Sequence, residues 1–133
     1  MHKTILLVLL LACGTAQASQ WVFVLKSADG KQNSYVDVTS VRSAGVIHRA
    51  WEKTVYKPHS YNGEGAPPRK WWHDSVNLFA FNCNEETVRS ESITVYYEDG
   101  THETESATTV WEPVPPDTML SAVMQVVCAL KPK

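Results

Sequence analysis

The stretch Ser75–Gly100, SVNLFAFNCNEETVRSESITVYYEDG, decides the fold. Along its first part Val76, Leu78 and Ala80 alternate with Asn77, Phe79, Phe81 and Cys83. Successive side chains of an extended chain point to opposite faces, so this period of two reads as a strand over Ser75–Cys83. A second such run covers Thr87–Tyr97, with Ile93, Val95 and Tyr97 on one side and Val88 and Tyr96 on the other. It ends in Glu98-Asp99-Gly100, and Asp-Gly marks a hairpin because glycine accepts a positive φ without a Cβ clash. The link between the two runs is too short for a parallel crossover of about a dozen residues, so the strands pair antiparallel.

Working outward, the same signals recur. Ala28-Asp29-Gly30 and Ser43-Ala44-Gly45 punctuate β-prone segments. The strands expected are Trp21–Lys26, Ser34–Val38, Val46–Tyr56, Ser75–Cys83, Thr87–Tyr97 and Thr101–Trp111. The period then changes. Leu120, Val123, Met124, Val127 and Cys128 recur at helical spacing within residues 117–130. Asp117, after the extended Pro115-Pro116, is the expected N-cap, and Pro132 stops the helix. The fold class is α+β: a single antiparallel sheet of about six strands in meander order, with one C-terminal helix packed on it.

Residues 1–18 read as an export signal. Lys3 is its positive start, and Ile5–Ala12 is an apolar run of eight, against the roughly 20 residues a membrane span needs. Ala16-Gln17-Ala18 fits cleavage after Ala18 and leaves a single domain, 19–133, with no transmembrane segment. A rival reading takes Leu10-Leu11-Ala12-Cys13 as a lipoprotein signal over residues 1–12, with Cys13 lipidated. Either route leaves the cytoplasm and removes Cys13 from the free thiols. Two cysteines remain, and in an exported domain Cys83 and Cys128 are expected to pair. Neither lies in a C-x-x-C pair, so zinc and redox readings lack their spacing; a nucleophilic thiol stays open but suits an oxidising compartment poorly.

The chain has 133 residues, 12 Lys plus Arg against 14 Asp plus Glu, for a net charge of −2. This balance argues against a nucleic-acid binder working through a basic face. Its length supports one domain. No catalytic site, metal site or cofactor is read from the motifs. His73-Asp74-Ser75 holds the residue types of a hydrolase triad, but strand neighbours point to opposite faces. The histidines His48, His59, His73 and His102 lack ligand spacing, and His48 and His102 read as surface residues on strands. Glu85, Glu86 and Glu91 read as solvated charges, and Glu98, Asp99, Glu103 and Glu105 make their hairpin acidic.

One irregular stretch, 56–72, is long enough to suspect a role. It carries His59, Ser60, Tyr61 and Asn62 and ends in Arg69-Lys70-Trp71-Trp72. Trp and Arg dominate interface hot spots, so Arg69, Lys70, Trp71 and Trp72 are candidate binding residues, together with Tyr96 and Tyr97 on the hairpin. The competing reading is that the two tryptophans simply begin the next strand.

The ordered motifs resemble the surface-adhesin protein E family of small exported bacterial proteins. They are Trp21 after the leader, Ser34-Tyr35-Val36-Asp37-Val38, Val41-Arg42 before Gly45, and Trp51. They continue with Phe81-Asn82-Cys83, Tyr96-Tyr97 before Asp99-Gly100, and Trp111-Glu112-Pro113-Val114-Pro115-Pro116-Asp117-Thr118 leading to Cys128. Pro116-Asp117-Thr118 stands where such sequences tend to have Pro-Gly-Ser, and the 56–72 loop has no match in the family. The resemblance implies a disulfide-tied six-stranded sheet with a terminal helix. It also implies a non-enzymatic surface protein of a Gram-negative bacterium, often a lipoprotein, that binds host extracellular proteins such as vitronectin and laminin. The alternative function is a periplasmic or envelope protein that binds or inhibits another protein or a glycan. A protein partner is expected in either case.

Overall fold

The computed structural model describes residues 17–63, 70–106 and 110–131. Residues 1–16 of the expected leader, with the lipidation candidate Cys13, and the candidate Arg69 lie outside the described residues.

Among the described residues eight strands and one helix follow in chain order. They are β1 (Trp21–Lys26), β2 (Gln32–Asp37), β3 (Arg42–Ala44), β4 (Ile47–Tyr56), β5 (Trp72–Asn82), β6 (Thr87–Tyr97), β7 (His102–Ser106), β8 (Glu112–Pro113) and α1 (Met119–Ala129). The main path of the antiparallel sheet runs β1-β2-β4-β5-β6-β7, which is the expected meander of six. Two short strands were not anticipated. β3 folds back on the start of β4 around the Gly45 turn, where φ is +61°, and β8 pairs with the start of β6. Of the expected strand Thr101–Trp111, β7 covers His102–Ser106, residues 107–109 lie outside the described residues, and Glu112–Pro113 forms β8.

The helix cap is also shifted. Asp117 has φ +59°, which is turn backbone, while Thr118 is extended at φ −108° and ψ 163°. Thr118 Oγ1 accepts from the Ser121 amide at 3.1 Å, and the Ser121 hydroxyl accepts from the Thr118 amide at 3.1 Å. This reciprocal capping box satisfies two amide donors that the first helical turn leaves orphaned.

α1 covers one face of the sheet and contacts β1, β2, β4 and β5. Val123, Met124 and Val127 of the helix pack with Val36, Ala50, Phe81 and Val88 of the sheet, with Val41 and Val114 closing the cluster. Fully burying each large apolar side chain contributes about 1.5–3 kcal/mol, so this cluster is what orients the helix. Cys83 and Cys128 form a disulfide with Cα atoms 5.8 Å apart, linking the end of β5 to the last turn of α1.

A bulge corrects the reading of β6. Leu78 pairs with Ser92 and Phe79 with Ser90, leaving Glu91 unpaired between them. One extra residue inverts the alternation, so Val88, opposite Phe81, joins the core rather than the other face. Glu91 is not a solvated charge. Arg49 Nε lies 3.0 Å from both of its carboxylate oxygens, and Arg89 donates to it at 2.8 Å. Burial alone raises its pKa, but the two guanidinium groups outweigh that and hold it below the usual carboxylate range. His48 is likewise half-buried, with Nδ1 3.3 Å from the Val127 carbonyl oxygen, rather than a surface residue.

The face opposite the helix carries Tyr35, Lys53, Val76 and Thr94 in one cross-strand row. Lys53 Nζ lies 4.6 Å from the centroid of the Trp21 ring and 5.7 Å from that of Tyr35.

Candidate functional site

The 56–72 segment and the β6–β7 hairpin meet at one end of the sheet. β4 ends at Tyr56 and β5 begins at Trp72, so the long connection must cross this end. The Trp72 amide donates to the Tyr61 carbonyl at 2.9 Å, and the Glu98 amide donates to the Trp71 carbonyl at 2.9 Å. These two bonds stitch the loop to itself and to the hairpin turn. His59 adds a third tie, its amide donating to Glu98 Oε1 at 2.8 Å and its Nε2 lying 3.0 Å from Oε2.

The aromatic pair divides between the faces. Trp72 turns to the helix face and packs edge-on against Tyr56 and Tyr61, at ring-centroid distances of 5.5 and 4.8 Å. Gly63 lies under this indole, and a Cβ there would meet Trp72 Nε1 at 3.2 Å. Trp71 is 37% exposed and Tyr61 is 41% exposed. Trp71 leans on the His59 ring at 5.6 Å. Trp72 thus starts a strand and packs inward, as the competing reading expects, while Trp71 stays at the surface.

Lys70 reaches across to the hairpin turn. Its Nζ donates to Thr101 Oγ1 at 2.8 Å, lies 3.5 Å from Asp99 Oδ2 and stands 5.2 Å from the centroid of the Tyr97 ring. The Thr101 hydroxyl and amide hold Asp99 below the ordinary carboxylate pKa, with Lys70 adding to the effect. Tyr97 donates its hydroxyl to Glu103 Oε2 at 2.8 Å, and that bond, with burial, raises the phenol's pKa. Tyr96 points the other way, stays exposed and lies 5.7 Å from the His102 ring. Lys70 and Trp72 therefore gather at Tyr97, while Trp71 and Tyr96 lie on the other face of the same end. His59 and Tyr61 were not among the candidates; their place in the same polar stretch was the available signal.

His73 Nδ1 comes within 3.4 Å of Asp74 Oδ2, because an irregularity between Trp72 and Asp74 disturbs the alternation expected there. Ser75 is buried beside Tyr56, with the two hydroxyls 3.4 Å apart, so no triad assembles. Among the described residues no group of three or more His, Cys, Asp or Glu could hold a metal ion. Among them, too, no helix is long and apolar enough to cross a membrane.

Solved structures of Haemophilus influenzae protein E share this fold. Crystal form II of Haemophilus influenzae protein E superposes with a TM-score of 0.57 at 16% identity, covering 90% of this chain and 94% of that one. A further structure of Haemophilus influenzae protein E gives 0.55 at 17% identity, covering 86% and 88%. Protein E from non-typeable Haemophilus influenzae gives 0.52 at 17% identity, covering 90% and 82%. No curated protein sequence matches the chain. The family model for surface-adhesin protein E matches residues 21–129, which runs from the first residue of β1 to the last of α1. Sheet order, terminal helix and family match agree, and the chain belongs to the surface-adhesin protein E family.

Proposed function

We infer that this protein is a non-enzymatic adhesin that binds host extracellular matrix proteins through the end of the sheet built from Tyr61, Lys70, Trp71 and the Tyr97–Thr101 turn. Membership of a surface-adhesin family implies an exported, cell-surface protein of a Gram-negative bacterium. The observation that carries the site is the exposure of Tyr61 and Trp71 on backbone that is already hydrogen-bonded in place. Aromatic anchors on ordered backbone bind without a large ordering cost. Lys70, His59, Glu98 and Asp99 form a polar rim around them. Export in this reading uses residues 1–18, with either cleavage after Ala18 or lipid attachment at Cys13.

Surface plasmon resonance on immobilised vitronectin and laminin tests the reading. The wild-type protein binds saturably. Trp71→Ala and Tyr61→Ala each weaken binding at least tenfold, since truncating a hot-spot aromatic costs on the order of 2 kcal/mol or more. Absence of wild-type binding, or undiminished binding by both variants, overturns it. Intact mass of the protein from its own cell separates a chain beginning at Ser19 from one acylated at Cys13.

A further inference from the structure

The helix-covered face holds a second feature that adhesion does not use. Between α1 and the sheet lies a cleft of about 320 Å³. Its floor is a buried carboxylate. Glu52 is only 4% exposed, and three neutral groups hold it. Ser34 Oγ donates to Oε1 at 2.7 Å, Thr54 Oγ1 donates to Oε1 at 2.6 Å, and Asn77 Nδ2 donates to Oε2 at 2.6 Å. The amide nitrogen of Asn77 can only donate, so Glu52 accepts hydrogen bonds on both of its oxygens. A carboxylate offers about four acceptor positions, so these donors leave one on Oε2.

Among the described residues none of the Lys, Arg or His side chains forms an ion pair with Glu52, and none of them lines the cleft. Burying an unpaired carboxylate is costly, and hydrogen bonds from neutral groups offset only part of the cost. The walls above it are aromatic and aliphatic: Tyr56, Trp72, Phe79 and Leu120. Aromatic rings attract a cation placed within about 6 Å of the ring centre. A cavity of this size lies at the lower end of the range that holds small ligands, about 300–1,000 Å³.

We propose that this cleft binds a small organic ammonium ligand, its charged nitrogen seated on Glu52 and its apolar body against Tyr56, Trp72 and Phe79. The proposal does not rest on adhesion: Tyr61, Lys70 and Trp71 do not line the cleft, although Tyr61 packs against Tyr56 and Trp72, which do. The first turn of α1, at Met119 and Leu120, also borders the cleft, and a helix N-terminus favours anions. That positive helix end opposes Glu52 in its effect on a bound cation, so the preference between amine and acid reads which of the two prevails.

The test titrates the exported protein with 2-phenylethylammonium, 2-phenylethanol and phenylacetate, following Trp72 and Asn77 by NMR. The amine shifts both residues saturably and binds at least tenfold more tightly than the alcohol, and the acid does not bind. Glu52→Gln, close in shape to the native side chain, loses at least tenfold in amine affinity while its spectrum stays folded. Leu120→Trp, which keeps Glu52 but fills the cleft, abolishes the shifts and serves if the first variant fails to fold. Equal binding of amine and alcohol, preference for the acid, or no saturable shift with the amine overturns the proposal.

Discussion

Asp117 sits in left-handed backbone at φ +59°, one residue before the helix cap. For a residue with a Cβ this region costs roughly 1–2 kcal/mol, and short polar side chains such as Asp bear it best. Asp117→Val should therefore lower stability by about 1–2 kcal/mol, and Asp117→Gly should not, as read by urea unfolding. Asp37 makes a pH-dependent contribution. Burial would raise its pKa, but the Thr39 hydroxyl and the Gln20 and Thr39 amides reverse this and hold the carboxyl below its usual value. A depressed folded pKa gives stability that is present above the unfolded value, near 4, and is lost as pH falls through the folded one. Asp37→Asn should cost about 1–2 kcal/mol at pH 7, with the gap to wild type narrowing in acid. Titrating the unfolding midpoint of both proteins from pH 7 to pH 3 checks this. A gap that widens in acid would contradict the assignment. Individual residues were the least legible level in the sequence. Asp117 was the natural N-cap by type, and only the backbone angle reveals that the chain turns there before Thr118 takes the role.

At the level of elements, the disulfide and the bulge carry most of the information. Cys83 and Cys128 are separated by 45 residues, and in the chain-entropy model closing that loop contributes about 4 kcal/mol. A Cys83→Ser/Cys128→Ser protein should lose stability on that order, and thiol labelling of the folded wild type should find neither cysteine free. Strand existence, strand order and helix position were legible because alternation and helical periodicity report burial directly. β3 and β8 were missed because two- and three-residue pairings leave no periodic trace. The bulge at Glu91 was missed for a related reason. An unpaired residue shifts the alternation without changing composition, so Val88 was placed on the wrong face. The cleft had a faint signal: Ser34, Glu52, Thr54, Ser75 and Asn77 occupy matching positions on three neighbouring strands. Alternation alone does not say which face the helix covers, and apolar Trp51, Val76 and Leu78 on the opposite face point the wrong way.

On the scale of the whole molecule, the two proposed roles fall on different surfaces. The helix side supplies the core and the cleft, and the end of the sheet presents Tyr61 and Trp71 with their charged rim. The sequence pointed to the loop and the hairpin separately. Their meeting depends on long-range bonds, Glu98 to Trp71 and His59 to Glu98, that no local pattern announces. Hydrogen–deuterium exchange of the protein with and without bound vitronectin tests the adhesive end most directly. Residues 57–63, 70–72 and 97–102 should gain protection together on binding, while the row through Tyr35, Lys53 and Val76 stays unchanged. Protection confined to that row, or no change at the loop and hairpin, would contradict the account.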